Sequence, residues 1–213
     1  NTYEKMTNFS TLNIQQQSSS SVLSNIITLN NGITRNNVNI NIDGEHAETI
    51  LAGLVIGDKE QKIDNQTFIN HIKPNSISNE TFKYILDDSS VGAFSGLILV
   101  NKDAQKTVSK QSNRNICLTD KARMYSKPQL EIYADDVKCG HGSTMGQLDD
   151  TAMFYLRSRG ISQKEAQLLL MSAFVSDVID NIKVDALKDR VRMLVEMRLR
   201  HELSVCSSCS VCK

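Results

Sequence analysis

The sequence predicts a mainly β chain that becomes helical toward its C-terminal end, and three observations predict it. Short apolar runs broken by Asn- and Gly-rich turns fill the chain up to about residue 147. Ile40, Leu54, Phe68 and Phe82 recur at a fixed interval of 14 residues. At Asp149 the hydrophobic period lengthens from the two residues of a strand to the 3.6 of a helix.

Residues 1–21 are polar, with Gln15 to Gln17 followed by Ser18 to Ser21. Their composition fits a flexible entry or the polar rim of a larger unit. Val38, Ile40 and Ile42 then alternate with Asn39 and Asn41, as on a half-buried strand. Asn30-Asn31-Gly32 and Asp43-Gly44 are turn signals, because these residues tolerate positive φ. Further apolar runs follow at Leu54–Ile56, Phe68–Ile69, Tyr84–Leu86 and Leu97–Val100. A fixed interval without intervening helix points to a solenoid, in which stacked coils share one core; a β-sandwich gives similar spacing. The chain has only two prolines, Pro74 and Pro128, so strand ladders are rarely interrupted. The recurrent asparagines, among them Asn36, Asn65, Asn113 and Asn115, fit turn chemistry and solubility, or hydrogen-bonded ladders between coils.

Asp149 reads as an N-cap, with Leu148 and Met153 at the positions of a hydrophobic staple. That helix ends at Gly160, a suitable C′ residue. Ser162 and Glu165 form a capping box for a second helix carrying Ala166, Leu169, Leu170, Ala173 and Phe174. A third helix carries Leu187, Val191, Leu194 and Val195, with Arg190, Arg192, Arg198 and Arg200 as basic decoration. Three helices are too few to bury all these apolar positions, so one face is expected to pack on the strand region or on a partner. The organisation expected is a core domain over 1–147, a helical domain over 148–205 and a Cys-rich tail over 206–213.

The 213 residues carry 24 basic and 24 acidic side chains, so no net charge draws the chain to nucleic acid. Aromatic content of 5% without Trp argues against base stacking too. No apolar run approaches the roughly 18 residues of a membrane span, and no secretory signal is visible. A cytoplasmic protein with no membrane partner is expected. Because the chain begins at Asn1, it is expected to be a cleaved product or a fragment.

Five cysteines, an odd number, make a poor disulfide framework and point to reduced thiols or metal ligands. Cys206, Cys209 and Cys212 have the C-x2-C-x2-C spacing of zinc or iron–sulfur ligands, with His201 nearby as a fourth, so a metal-binding or redox module is one reading. Cys117 reads as core. Cys139 and His141 stand two apart, on one face if the segment is a strand. A carbohydrate-active β-helix enzyme is a weaker reading. It needs paired carboxylates along an aromatic-lined groove, whereas Asp135 and Asp136 would alternate to opposite faces of a strand.

The block from Pro128 to Gly146, with Leu130, Glu131, Ile132, Ala134, Asp135, Asp136, Val137, Cys139, His141, Gly142 and Thr144, runs into Phe154-Tyr155-Leu156-Arg157-Ser158-Arg159-Gly160-Ile161. Upstream stand Asp64-Asn65-Gln66-Thr67 with His71, Phe94-Ser95-Gly96, Gln105-Lys106-Thr107 and Asn113-Arg114-Asn115. Together these resemble the SufB/SufD family of iron–sulfur cluster assembly proteins, its SufD branch in particular, over roughly residues 46–203. Gly140 and Ser143 depart from the usual Ser and Ala, and Gln66 and Asn70 replace a His and an Asp, which weakens a ligand role upstream.

The resemblance implies a right-handed parallel β-helix followed by a small helical domain, with an N-terminal region of the family's chain absent here. It implies a non-catalytic scaffold that pairs with SufB through the β-helix and docks the ATPase SufC through the helices. A transient iron–sulfur cluster shared with SufB would take His141 as a ligand, with Cys139 the lesser donor. Phe154, Tyr155, Arg157 and Arg159 map to a partner surface; packing alone accounts for the aromatics, which leaves the two arginines as the better candidates. An unpaired β-helix edge also makes a homodimer plausible for the isolated chain.

Overall fold

A computed structural model describes residues 5–30 and 32–202. Ten strands precede three helices among them. The strands are β1 (Thr7–Gln16), β2 (Ser21–Thr28), β3 (Ile33–Ile42), β4 (Glu48–Gly57), β5 (Lys62–His71), β6 (Ile77–Leu86), β7 (Val91–Val100), β8 (Val108–Cys117), β9 (Arg123–Ile132) and β10 (Lys138–Gly146). Odd-numbered strands build one parallel sheet in chain order, and even-numbered strands build the other. Each strand pairs with the strand two further along, between residues 26 to 32 apart. Winding of this kind is a parallel β-solenoid and rules out the sandwich.

The 14-residue interval is therefore half a coil, the step from one sheet to the other, and not the stacking repeat. Nor does it keep one face. Ile40 and Phe82 lie in the solenoid interior, while Leu54 packs on the outer surface beneath the helices. Phe68 is half-buried.

The interior is apolar around Val38, Ile40, Ile42, Leu51, Val55, Ile63 and Ile69. It becomes mixed further along, where His71, Ser78, Glu80, Ser109, Gln111, Asn113 and Asn115 are also buried. Asparagines ladder between coils. Asn36 donates to Asn65 at 2.8 Å, and Asn65 donates to the Tyr84 hydroxyl at 2.6 Å. A second ladder links Asn101, Asn70 and Asn41 at 2.7 and 3.1 Å. Cross-coil pairing, more than turn chemistry, accounts for these residues.

Two glycines are required by close approach. A Cβ on Gly44 would sit 2.0 Å from the backbone nitrogen of Ser18, so this residue serves the stacking of corners and not a positive φ. A Cβ on Gly53 would sit 2.1 Å from the ring of Phe82, which is fully buried with its centroid 5.0 Å from that of Phe94. Gly53→Ala is expected to destabilise the chain by roughly 1–3 kcal/mol through overpacking. Urea unfolding checks this, and an unchanged midpoint would show that the ring yields freely.

The helices are α1 (Asp150–Ser158), α2 (Gln163–Asp180) and α3 (Asp185–Leu199). Asp149 caps α1, its carboxylate accepting from the N–H groups of Thr151 and Ala152, and Gly160 follows with φ of +85°. Ser162 accepts from the Glu165 N–H, while the Glu165 carboxylate meets Arg200 at 3.3 Å. Met171, Val175, Val178 and Ile179 of α2 pack with Ala52, Leu54, Ile56 and Ile85 on the outer face of β4 and β6, joined by Val195 and Leu199 of α3. This explains why Leu51 to Ile56 is apolar at almost every position: both faces of β4 are covered.

Two cations pin the helices. Lys83 on β6 is buried, and its Nζ donates to the carbonyl of Phe174 at 2.7 Å and to both Asp177 carboxylate oxygens at 2.6–2.7 Å. Arg198, expected on the solvent face of α3, is instead buried and bonds both oxygens of Asp58 at 2.6 Å. The reading failed because helical spacing marks a stripe without saying which charged residue on its border finds a partner across the interface.

Candidate functional site

The last strand, β10, forms the edge of the even-numbered sheet, and β9 forms the edge of the other, so the final coil is uncovered on one side. Its interior-facing side is fixed by its neighbours. Cys139 packs against the interior cluster, and the Ser143 hydroxyl lies 2.8 Å from that of Ser126 and 3.4 Å from Asn113 Oδ1. His141 falls between them and shares that face. Among the described residues no further strand stacks above it, and it is exposed. The spacing thus does place Cys139 and His141 on one side of a strand. Gly140 and Gly142 are on the other, where a Cβ would meet nothing within 4 Å, so glycine for serine at 140 removes no contact of this coil.

Chemically the two donors differ. Burial pushes the Cys139 thiol above its ordinary value, with the backbone N–H of Ser109 pulling it partly back. At neutral pH it is a thiol that must lose a proton before it binds metal. A neutral imidazole offers its lone pair without that step, and it suits iron. Among the described residues no three His, Cys, Asp or Glu side chains converge as a metal site. What the chain presents here is a pair of donors at an open rung.

The upstream His71 is structural. It is fully buried in the solenoid, its ring nitrogens 2.8 and 2.9 Å from the hydroxyls of Ser76 and Ser78, and burial lowers its pKa to about 4. Asp135 and Asp136 lie in the turn between β9 and β10 and not on a strand, so they do not alternate between sheet faces. Cys117, read as core, is half-buried against the interior cluster. Cys206, Cys209 and Cys212 lie outside the described residues; His201, their nearby candidate, has its Nδ1 3.6 Å from Asp58.

Helix α1 buries no residue. Phe154 is 73% exposed and Tyr155 57%, and the Arg159 guanidinium sits 5.1 Å from the Tyr155 ring centroid. Arg157 is exposed as well. Packing among the described residues therefore does not explain these aromatics. A groove of about 730 Å³ runs between α1, α2, the end of α3 and the end of β8, but neither His141 nor Cys139 lines it. No described helix is long and apolar enough to cross a membrane.

Comparison with known proteins places this geometry. Residues 1–174 match the family model described as the SUF system FeS cluster assembly, SufBD core domain. The chain is 37% identical over 171 residues to the iron–sulfur cluster assembly protein SufD of Escherichia coli, covering 80% of this chain and 40% of that protein. It is 42% identical over 152 residues to an iron–sulfur cluster assembly SufBD family protein of Synechocystis, covering 71% of this chain and 32% of the relative. SufD of Bacillus subtilis is 29% identical over 168 residues, or 79% and 38% of the two lengths. The chain thus spans less than half the length of these curated relatives.

Proposed function

This chain belongs to the SufBD family of SUF-system iron–sulfur cluster assembly proteins, and from that premise we propose that it is a non-catalytic scaffold subunit supplying half of a cluster-assembly site. The carrying observation is the donor pair on an uncovered coil. His141 and Cys139 lie on the last described coil, at the free edge of its sheet, where no third ligand joins them among the described residues. Two ligands do not hold an iron–sulfur cluster, which usually takes four. A second chain that adds its coils to the free edges of β9 and β10 would complete the set and satisfy the unpaired strand groups. By family resemblance that chain is SufB, and the cluster is cargo and not a resident cofactor. A homodimer through the same edges is the competing arrangement for the isolated chain.

The helical segment serves a separate contact. The exposed aromatics Phe154 and Tyr155, with Arg157 and Arg159, form a surface of the kind enriched at protein interfaces, and SufC is the proposed occupant. The test is co-purification with SufB and SufC, followed by cluster assembly with a His141→Ala variant. That variant should still form the complex but lose more than about tenfold in assembly rate, as removal of a metal-orienting group does. An unchanged rate in an intact complex would sink the ligand assignment. Failure of the unsubstituted chain to bind either partner at micromolar concentration would sink the function.

A further inference from the structure

In the even-numbered sheet Glu80 on β6, Gln111 on β8 and His141 on β10 are direct register partners, one rung above another. All three belong to the interior-facing set. Glu80 is 1% exposed and Gln111 2%. The Gln111 Nε2 donates to Glu80 Oε2 at 2.7 Å. With Glu80 ionised its carboxylate can only accept, so the amide nitrogen faces it, and Gln111 Oε1 is left buried without a partner, as Glu80 Oε1 also is. An orphaned buried amide oxygen is rare and costly, so its retention calls for an explanation. The next rung, about 4.8 Å away, carries an imidazole.

We propose that Gln111 and Glu80 are positioning residues for His141: the amide oxygen of Gln111, oriented by Glu80, accepts the inward N–H of the imidazole and leaves the outward ring nitrogen as the lone pair offered to iron. This rests on the reading of His141 as a cluster ligand and adds how that ligand is held. Histidines that bind metals generally donate their other N–H to an oxygen, which fixes tautomer and ring plane. Burial raises the Glu80 carboxyl to about 7, so this group sits deep in the interior near the point of losing its charge. Either protonation state retains an oxygen that can accept from Gln111.

The test is nitrogen-15 NMR of the whole chain labelled at histidine, at pH 8, where free imidazole is neutral. The unsubstituted chain should show His141 as one dominant tautomer with a slowly exchanging N–H. Gln111→Leu should lose both signatures and return His141 to the mixed tautomers of free imidazole. Glu80→Leu should do the same, while Glu80→Gln, which keeps an acceptor for the amide, should preserve them. His71, held by Ser76 and Ser78, reports on the fold and should not shift in any variant. Mixed tautomers with fast exchange in the unsubstituted chain overturn the proposal without need of a variant. So does a Gln111→Leu protein whose His141 signals are unchanged. A locked tautomer together with normal assembly by His141→Ala keeps the clamp and removes the ligand reading, so the two failures are told apart.

Discussion

Replacing Arg198 with alanine is expected to destabilise the chain by about 3–5 kcal/mol, the loss that follows when one member of a buried ion pair is removed. The pair is bidentate, with side-chain exposures of 6% and 9% for Arg198 and Asp58. Arg198 also donates to Gln61 Oε1 at 3.0 Å, and Gln61 in turn accepts the Asp58 N–H at 3.0 Å. Truncation would strand a carboxylate in a site built for its partner. Burial by itself would raise the Asp58 carboxyl, but the hydrogen bond and charge of Arg198, with Lys59 and His201, hold it below its ordinary value. A lowered carboxyl contributes stability that is fully present above its unfolded pKa of 3.8 and is lost as pH falls through the folded value. Urea titrations at pH 7 and pH 3 should therefore show a large penalty at pH 7 that shrinks at pH 3. A double variant, Asp58→Asn with Arg198→Met, should recover much of the loss, since the penalty lies in the orphaned charge and not in the missing pair. A change below about 1 kcal/mol at pH 7 would mean that the pair behaves as an exposed one.

What the sequence disclosed follows the places where one residue type has one physical reason to be present. Asp149 and Gly160 announced the ends of α1 because a cap and a left-handed C′ position each accept few residues. The family block singled out His141 and Cys139 as candidates, and their spacing anticipated the strand face they share. Coil length was not legible, because an interval of 14 residues marks each passage between sheets whether or not the side chain points inward. Sidedness was hidden in β6 and β8 for a related reason. Ser109, Gln111, Asn113 and Asn115 alternate with Lys110, Ser112 and Arg114, so polarity does not separate interior from surface. Lys83 and Arg198 were missed because a buried cation is recognised only through its partner, and Asp177 and Asp58 lie 94 and 140 residues away in the chain. Glu80 and Gln111 became visible only when register placed them beneath His141.

At pH 8, Glu80→Gln is expected to stabilise the chain by about 3 kcal/mol, and at pH 4 to change it little. The sign follows from where the carboxyl titrates. Burial raises it from 4.5 to about 7, so the folded state binds more protons than the unfolded state across that interval. A raised carboxyl is fully tolerated below pH 4.5, and stability falls as pH rises through 7. His71 acts in the opposite sense. Burial lowers it from 6.5 to about 4, so its neutral form is fully tolerated above 6.5 and stability is lost as pH falls toward 4. Between 4.5 and 6.5 the two slopes oppose one another, and their joint contribution is nearly level in the unsubstituted chain. Removing the carboxyl exposes the histidine slope alone, a rise of about 3 kcal/mol from pH 4 to 6.5. Urea midpoints of both proteins at pH 4, 5.5, 7 and 8 read this out. The difference between the two proteins is the quantity to follow, because other titrating groups contribute equally to both. Parallel profiles at every pH would show that Glu80 is not held near neutrality. A rise as described means that the solenoid carries a carboxyl where glutamine would give a more stable fold at neutral pH. Such a residue has no packing reason for its charge, and the clamp on His141 asks of it only an oxygen that accepts from Gln111, which glutamine supplies as well.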